Sequence, residues 1–507
     1  MNRFNRILAS SLLALVAAPS AVLADVRLPA IFSDHMVLQQ QKAAAVWGWA
    51  DAGEEVTVSV DKATATTKAG TDGKWTAKLD KLPAGGPFTL IVKGRNTLTV
   101  KDVLVGEVWL CSGQSNMAMT VNRSNDFEKE QAAATNKLIR MYTVPRNPQR
   151  APVDDAKGTW VVCAPESVGL FSAAGYFFGR EIQPALQVPV GLINSSYGGT
   201  DIAAWTSEEV QLPIPALKAQ FEDWAKKDAT YDPAKAQAAF EKAQTAWKAK
   251  AAEAKAAGKP APRAPAKPNQ PSKDQNHPAN LYNGMIVPVM PYTIRGAIWY
   301  QGEHNSRNAE SGTLYATQMA LLIKDWRTRW GDDFAFGIVQ LPNFARPGEG
   351  WMLVRESMLK TVQTVPNTGL AITVDVGDPG DIHPKDKQTV GKRLANWALA
   401  TVYGKSDVAA MGPLPAGHEI KGGSIVLKFT HAHGGLVAKG GTLTGFTIAG
   451  EDRKFVPAVA KIEGDTVVVS SPDVAKPTAV RYAWQDNPVC NLFNGAGLPA
   501  SPFRTDQ

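Results

Sequence analysis

The stretch that decides the fold is Val103–Met117, which reads VLVGEVWLCSGQSNM. Its first eight residues are mostly apolar, as is typical of a strand buried on both faces of a sheet. Gly113 permits a sharp turn, and Ser115 stands where the chain leaves the strand and a helix begins. A hydroxyl at this position projects from the sheet edge near unpaired backbone N–H groups, as a serine nucleophile requires. The alternative is a serine that only caps the helix.

Four more apolar runs follow this strand, and helical patterns separate several of them. Residues 172–183 and 313–330 are two of these helical patterns. Strands that alternate with helices predict a parallel sheet covered by helices on both faces. Ligands of such sheets bind beyond the carboxyl ends of the strands. The apolar runs lie at 188–194, 294–300, 334–341 and 369–375.

Besides Ser115, polar residues follow three further predicted strands, and together with Ser115 they match the needs of a serine hydrolase. A serine hydroxyl needs a base, and histidine titrates in the right pH range. A carboxylate orients the imidazole, and backbone or amide N–H groups hold the negative oxygen. Each residue alone has a structural explanation, such as a turn or a polar network, but three clusters at strand ends favour a site. The residues that fill these roles are Ser115, His383, Asp381, Gly198 or Gly199, and Gln301.

On either side of this α/β region the sequence predicts β structure. Residues 25–102 contain short alternating strands separated by Gly/Asp turns, which indicates a small β-sandwich-type domain. Strand patterns return at 411–507, either as a second β domain or as strands that complete the first. The α/β domain therefore spans 103–410, and an Ala/Lys/Pro-rich insertion interrupts it at 212–275. We expect the insertion to be solvated helix followed by an extended segment.

The first 24 residues have the pattern of a secretory signal peptide. Arg3 and Arg6 precede an apolar stretch from Ile7 to Ala18, and Val22-Leu23-Ala24 forms a small-residue cleavage site. No later segment is apolar for the length that a membrane span needs. We therefore predict an exported protein without a membrane span, in the bacterial periplasm.

Charge and cysteine content exclude several classes of partner and cofactor. The net charge is +7, but the segment 212–275 alone holds 12 Lys/Arg against 7 Asp/Glu. The signal removes two more positive charges, so the rest of the chain is balanced and nucleic-acid binding has no support. The three cysteines allow at most one disulfide, and their spacing suggests no zinc site. We expect no metal and no cofactor.

Six motifs resemble those of the sialate O-acetylesterase family, carbohydrate esterases related to the SGNH hydrolases. The resemblance covers most of the chain and is weaker in the insertion and in the last hundred residues. The motifs are LPAIFSDHMVLQ at 28–39, GEVW at 106–109, SGQSNM at 112–117, LYNGMI at 281–286, IWYQGE at 298–303 and DIHP at 381–384.

The resemblance implies a three-layer α/β/α domain with a flavodoxin-like parallel sheet and accessory β structure. It also implies a carboxylic ester hydrolase that removes acetyl groups from an O-acetylated sugar or oligosaccharide without a metal. Ser115 would be the nucleophile, His383 the base and Asp381 its orienting acid, although Asp375 and Asp378 are close enough to compete with Asp381. The remaining residues assigned to oxyanion or substrate binding are Gly198, Gly199, Gln301, Asn116 and Glu303.

The acceptor sugar stays open at the level of sequence. Sialic acid carries a carboxylate, which an arginine such as Arg307, Arg346 or Arg355 would suit. An acetylated plant polysaccharide such as xylan or xyloglucan would need a long neutral cleft instead. Two other classes are a non-catalytic carbohydrate-binding protein and a lipase or thioesterase on the same scaffold.

Overall fold

Short antiparallel strands form the N-terminal part of the chain. The computed structural model describes residues 25–345 and 348–506, so the predicted signal at 1–24 lies outside the described residues. In the third strand the side chains of Val56, Val58 and Val60 are buried and Glu55 is exposed, which is the alternation that its sequence predicts. The strands are β1 (Val37–Gln39), β2 (Ala44–Trp49), β3 (Glu55–Val60), β4 (Ala63–Lys68), β5 (Lys74–Leu79) and β6 (Gly85–Lys93).

The central sheet contains all five of the predicted apolar strands. Its strand order is β13-β12-β11-β7-β10-β8-β9, and every neighbouring pair is parallel except β8 with β9. The five predicted strands alone give the flavodoxin-like order, with the first strand, β7, second in space. The strands are β7 (Thr97–Gly113), β8 (Ile139–Thr143), β9 (Trp160–Val162), β10 (Val190–Ser196), β11 (Gly296–Tyr300), β12 (Ala335–Val339) and β13 (Thr368–Ala371).

Helices cover both faces of this sheet. The α-helices are α1 (Ser115–Ala118), α2 (Phe127–Ala133), α3 (Pro165–Val168), α4 (Ala173–Leu186), α5 (Glu208–Gln211), α6 (Pro215–Ala229), α7 (Pro233–Ala256), α8 (Ala309–Trp330), α9 (Glu349–Thr364) and α10 (Lys387–Trp397). Short 3-10 turns lie at Val121–Arg123, Ile202–Trp205, Pro271–Lys273, Val287–Val289 and His304–Ser306, and π-helical turns at Tyr282–Ile286 and Ala398–Val402.

Alternate side chains of β7 belong to two separate hydrophobic cores. Val108 and Leu110 lie in one core with residues of α8 and α9, such as Trp326. Trp109 and Cys111 lie in the other core, with residues of α4 and α10. This is the packing of a strand buried on both faces, and the predicted three-layer α/β/α domain is confirmed.

The C-terminal residues form further small antiparallel sheets, as predicted. Their strands are β14 (Leu414–Lys421), β15 (Ser424–Thr430), β16 (Leu436–Ala438), β17 (Phe446–Ala449), β18 (Val456–Pro457), β19 (Val459–Glu463), β20 (Thr466–Ser470), β21 (Ala479–Tyr482), β22 (Leu492–Asn494) and β23 (Phe503–Arg504). Buried residues of these strands, such as Ile425 and Val467, join the same core as Val108 and Leu110. The accessory β structure therefore packs on the α/β domain.

The insertion follows the expected sequence of helix and then extended chain. Within α7 none of the residues is buried, and the chain from there to Pro271 is irregular. Trp224 packs on His277, with ring centroids 5.2 Å apart. The indole N–H of Trp247 instead donates to the carbonyl of Pro262, 2.7 Å away, so this side chain holds the returning segment against α7.

None of the described helices combines the length and the apolar character that a membrane crossing requires. Cys111 and Cys163 are buried and Cys490 is half-buried, and all three are free thiols.

Candidate active site

The three central strands, β10, β7 and β11, end side by side, and this brings together the predicted polar residues that follow these three strands. Gly113 at the end of β7 is in register with Ser196 of β10 and with Tyr300 of β11. Because the strand order reverses at β7, this edge is the topological switch point, where open α/β sheets bind ligands.

The turn that presents Ser115 depends on a glycine. Gly113 has φ of 137°, and a Cβ there would lie 2.1 Å from the carbonyl oxygen of Tyr300. The backbone N–H of Gln114 donates to that same carbonyl at 2.9 Å. The chain therefore leaves the sheet abruptly, and Ser115 begins α1 half-buried at the sheet edge.

Ser115 and His383 are in hydrogen-bond contact although 268 positions separate them in the sequence. The distance from Ser115 Oγ to His383 Nε2 is 2.9 Å. Burial lowers the pKa of His383, the nearby carboxylate of Asp381 raises it, and the positive charges of Lys387 and Arg123 lower it further. A low pKa keeps the imidazole neutral, as a general base must be.

Asp381 stands beside the other ring nitrogen of His383. One of its carboxylate oxygens accepts the backbone N–H of His383 at 2.9 Å and lies 3.7 Å from Nδ1. Of the two competing carboxylates, Asp375 binds the guanidinium of Arg393 through both oxygens, and Asp378 accepts the backbone N–H of Gly380. Asp381 is thus the one of these three carboxylates that faces the imidazole.

Gly198 lies against Ser115. A Cβ built at Gly198 would be 3.2 Å from the Cβ of Ser115, and the neighbouring Gly199 has φ of 70°. Within the described residues, no group accepts a hydrogen bond from the backbone N–H of Ser115, Gly198 or Gly199. These N–H groups are therefore available as oxyanion donors.

Gln301 is placed differently from the prediction. Its amide nitrogen donates both hydrogens, to the carbonyl of Thr200 at 2.8 Å and to Oδ1 of Asn305 at 2.7 Å. Its carbonyl oxygen accepts the hydroxyl of Tyr315 at 2.8 Å. In this arrangement the side chain ties the loops after β10 and β11 together and has no hydrogen left for an oxyanion.

Asn116 and Glu303 are buried beneath the site and face each other. The amide nitrogen of Asn116 donates to Glu303 Oε1 and to the carbonyl of Ile382, the latter at 3.0 Å. Burial raises the pKa of Glu303. Because neither side chain reaches the surface, we assign them to support of the catalytic loops instead of to substrate contact.

Lys387 is the member of this network that the sequence prediction missed. Its ammonium donates to Oδ1 of Asn116 and to the carbonyl of Pro384, each at 2.7 Å. It is the first residue of α10, where the helix dipole disfavours a cation. A lysine at that position, four residues after the predicted base, was the signal available in the sequence.

Of the arginines predicted for a substrate carboxylate, Arg355 is fully buried. It donates to the backbone carbonyls of Leu341, Pro342, Gln485 and Asp486, and this makes it a structural residue. Arg307 pairs with Asp201 at 3.0 Å, and Arg346 lies outside the described residues.

Comparison with known proteins agrees with this geometry. The family model described as carbohydrate esterase, sialic acid-specific acetylesterase, matches residues 105–234 and 272–400, about half of the chain. The chain belongs to this family. The resemblance found in the motifs is therefore confirmed, and with it the classification as an ester hydrolase.

Members of the family from distant organisms match nearly the whole chain. Sialate O-acetylesterase of Rattus norvegicus is 30% identical over 527 residues, covering 94% of this chain and 94% of the rat protein. The Homo sapiens protein of the same name is 30% identical over 529 residues, covering 94% and 92%. A crystal structure of a carbohydrate acetylesterase from Xanthomonas citri superposes with a TM-score of 0.80 at 36% identity, covering 95% of this chain and 100% of that one.

Proposed function

We propose that this chain is a secreted serine carbohydrate esterase that removes O-acetyl groups from sugars, as its sialate O-acetylesterase relatives are named to do. The observation that carries the proposal is the 2.9 Å contact between Ser115 Oγ and His383 Nε2 at the switch point of the sheet. Membership of an acetylesterase family supports the reaction class, and the contact supports the assignment of Ser115 and His383.

The mechanism follows from the positions of these groups. Ser115 Oγ attacks the acetyl carbonyl carbon while His383 Nε2 takes the hydroxyl proton, and the C–O bond to the sugar then breaks. The sugar alkoxide leaves with that proton. Water, deprotonated by the same imidazole, attacks the acetyl-enzyme and releases acetate and free Ser115. Asp381 stabilises the imidazolium formed in each half-reaction.

Backbone N–H groups supply the oxyanion hole in this mechanism. The N–H of Ser115 and that of Gly198 or Gly199 have no acceptor in the described part of the chain, and they stand next to the nucleophile. Such preorganised donors stabilise the tetrahedral intermediate more than the planar ester, because the charge on oxygen develops only there.

The test is turnover of 4-nitrophenyl acetate and of 9-O-acetylated sialic acid by wild type and by Ser115→Ala. We expect the variant to lose at least about 10³-fold in kcat. Ser112→Ala is the matched control, since its buried hydroxyl has no partner among the described residues and it lies in the same strand-turn unit. Equal rates for wild type and Ser115→Ala would refute the mechanism and favour a non-catalytic carbohydrate-binding protein.

An acetylated plant polysaccharide is the second candidate substrate. One observation favours it: Arg355, predicted to meet a sialate carboxylate, is buried among backbone carbonyls. Comparing kcat/KM for 9-O-acetylated sialic acid with that for acetylated xylan or xyloglucan decides between them. A series of acyl chains from acetate to octanoate tests the lipase or thioesterase alternative, which requires a preference for long chains.

We also propose export to the periplasm, on the basis of the signal pattern at 1–24. Expression of the full chain in a Gram-negative host, followed by N-terminal sequencing of the periplasmic fraction, tests this. A mature protein that begins at Asp25 is the expected result, and retention of an uncleaved chain in the cytoplasm would refute it.

A further inference from the structure

A buried polar network joins the serine turn to the histidine loop. Asn116, which directly follows the nucleophile, donates to the carbonyl of Ile382 at 3.0 Å. Lys387 donates to the carbonyl of Pro384 and to Oδ1 of Asn116, each at 2.7 Å. The carbonyls on both sides of His383 are therefore fixed by Lys387 and by the residue beside Ser115.

This arrangement places two ionisable groups where water does not reach them. Lys387 is 0% exposed and Glu303 is 3% exposed. Burial lowers the pKa of Lys387 to about 7, while the charge of Glu303 raises it. An apolar side chain at 387 would avoid the desolvation of a cation, so folding alone does not explain the lysine.

The charges that face Lys387 come from several elements. Glu303 follows β11, Asp381 and Asp386 precede Lys387 in its own segment, and Arg123 lies on the 3-10 turn after α1. The ammonium also lies 5.2 Å from the ring centroid of Tyr300. Among these neighbours, His383 is the group that titrates in the proposed mechanism, and the positive charge of Lys387 lowers its pKa.

We propose that Lys387 is a positioning residue of the esterase reaction, one that clamps the Ser115 turn to the His383 loop and adds a positive charge near the imidazole. The inference rests on the proposed function, since it concerns the same two residues. The clamp keeps Oγ and Nε2 in contact, and the charge favours the neutral, basic form of His383 at mildly acid pH, where Lys387 itself is protonated.

The experiment is the pH profile of kcat and of kcat/KM for 4-nitrophenyl acetate with Lys387→Gln. An amide keeps hydrogen-bond donors for the two acceptors and removes the charge. Lys385→Gln is the matched control, because Lys385 is exposed two positions away. Circular dichroism and the thermal midpoint check that each variant is folded.

We expect Lys387→Gln to lose about 10- to 100-fold in kcat through misplacement of the base, with KM changed by less than about threefold. Without the cation the imidazole gains its proton more easily, so the acid limb of kcat/KM moves to higher pH by about half a unit or more. Lys385→Gln is expected to keep the wild-type kcat and the wild-type position of the acid limb of kcat/KM.

Two results would overturn the inference. One is a Lys387→Gln profile that matches Lys385→Gln in both kcat and acid limb. The other is failure of both Lys387→Gln and Lys387→Met to fold, which would make Lys387 a folding residue only. The Ser115→Ala test separates the two proposals. If Ser115→Ala is as active as wild type, the proposed function is refuted. If Ser115→Ala is inactive and Lys387→Gln behaves as wild type, only the positioning role of Lys387 is refuted.

Discussion

One added methyl group can test the space between Gly198 and Ser115. In Gly198→Ala the new Cβ would lie 3.2 Å from the Cβ of Ser115 and 3.5 Å from its Cα. Carbon atoms in ordinary contact are about 3.5–4.0 Å apart, so the two segments must separate by about 0.3–0.8 Å. The backbone itself tolerates alanine, because Gly198 is not among the glycines with positive φ.

That displacement acts directly on the reacting groups. Ser115 Oγ lies 2.9 Å from His383 Nε2, and a shift of this size along the contact lengthens it to about 3.2–3.7 Å, at or beyond the limit of a hydrogen bond. The N–H of residue 198 moves away from the oxyanion position at the same time. Loss of one such donor lowers kcat by about 10²–10³-fold, and we expect Gly198→Ala to fall in this range.

The assay is steady-state hydrolysis of 4-nitrophenyl acetate, read together with urea unfolding. Gly331→Ala is the matched control, since Gly331 has φ of 64° and nothing within 4 Å of its Cβ position. It is expected to lose about 1 kcal/mol of stability through backbone strain and to keep its activity. A Gly198→Ala enzyme within twofold of the wild-type kcat would refute the proposed placement of the oxyanion hole.

Three further predictions concern the base, the C-terminal support and the insertion. Burial lowers the pKa of His383 below the ordinary histidine value of 6.5, so kcat/KM should decrease only as the pH falls below that value. A decrease in kcat/KM that already begins above pH 7 would contradict this. Arg355→Met removes four hydrogen bonds from the guanidinium to backbone carbonyls and should cost about 3 kcal/mol or more in urea unfolding. A loss under about 1 kcal/mol would rule out a structural role for Arg355. Replacing 233–269 by a short Gly/Ser linker should change the free energy of unfolding by less than about 1 kcal/mol, because α7 buries no residue. Turnover of 4-nitrophenyl acetate should stay at the wild-type rate. Loss of that activity would show that the insertion is part of the site.

Sequence reasoning predicted the placement of residues where chemistry and local pattern coincide. Ser115 stands in the turn directly after β7 and His383 in the loop that follows β13, and the structure brings the two side chains into contact at the edge where these parallel strands end. It failed where partners are distant along the chain. Gln301 has the right amide for an oxyanion, but its hydrogens are taken by Thr200 and Asn305, and no spacing in the sequence reveals that competition.

Because of charged residues inside strands, the sequence did not predict β8 or the continuity of β7. β8 was not predicted because Arg140 interrupts its apolar run, and the structure pairs this guanidinium with Asp102. Lys101 and Asp102 likewise interrupt the run before Val103, so the sequence divides the chain at 102–103. Asp102 has φ of 52°, yet the strand continues through this residue. Ion pairing of a strand residue depends on tertiary neighbours, which a local pattern does not contain.

The continuity of β7 bears on how this protein can be dissected. Its 17 residues extend for about 55 Å, with the first half hydrogen-bonded to β6 and the second half to β10 and β11. A truncation that starts at residue 105, where the family match begins, would cut this strand within its paired length. The truncation would also remove β1 and β6, which pair with β7, and would place the new N-terminus only eight residues before Gly113, where the turn to Ser115 begins. Shortened versions made for crystallisation or engineering should therefore retain the chain from Asp25 onward.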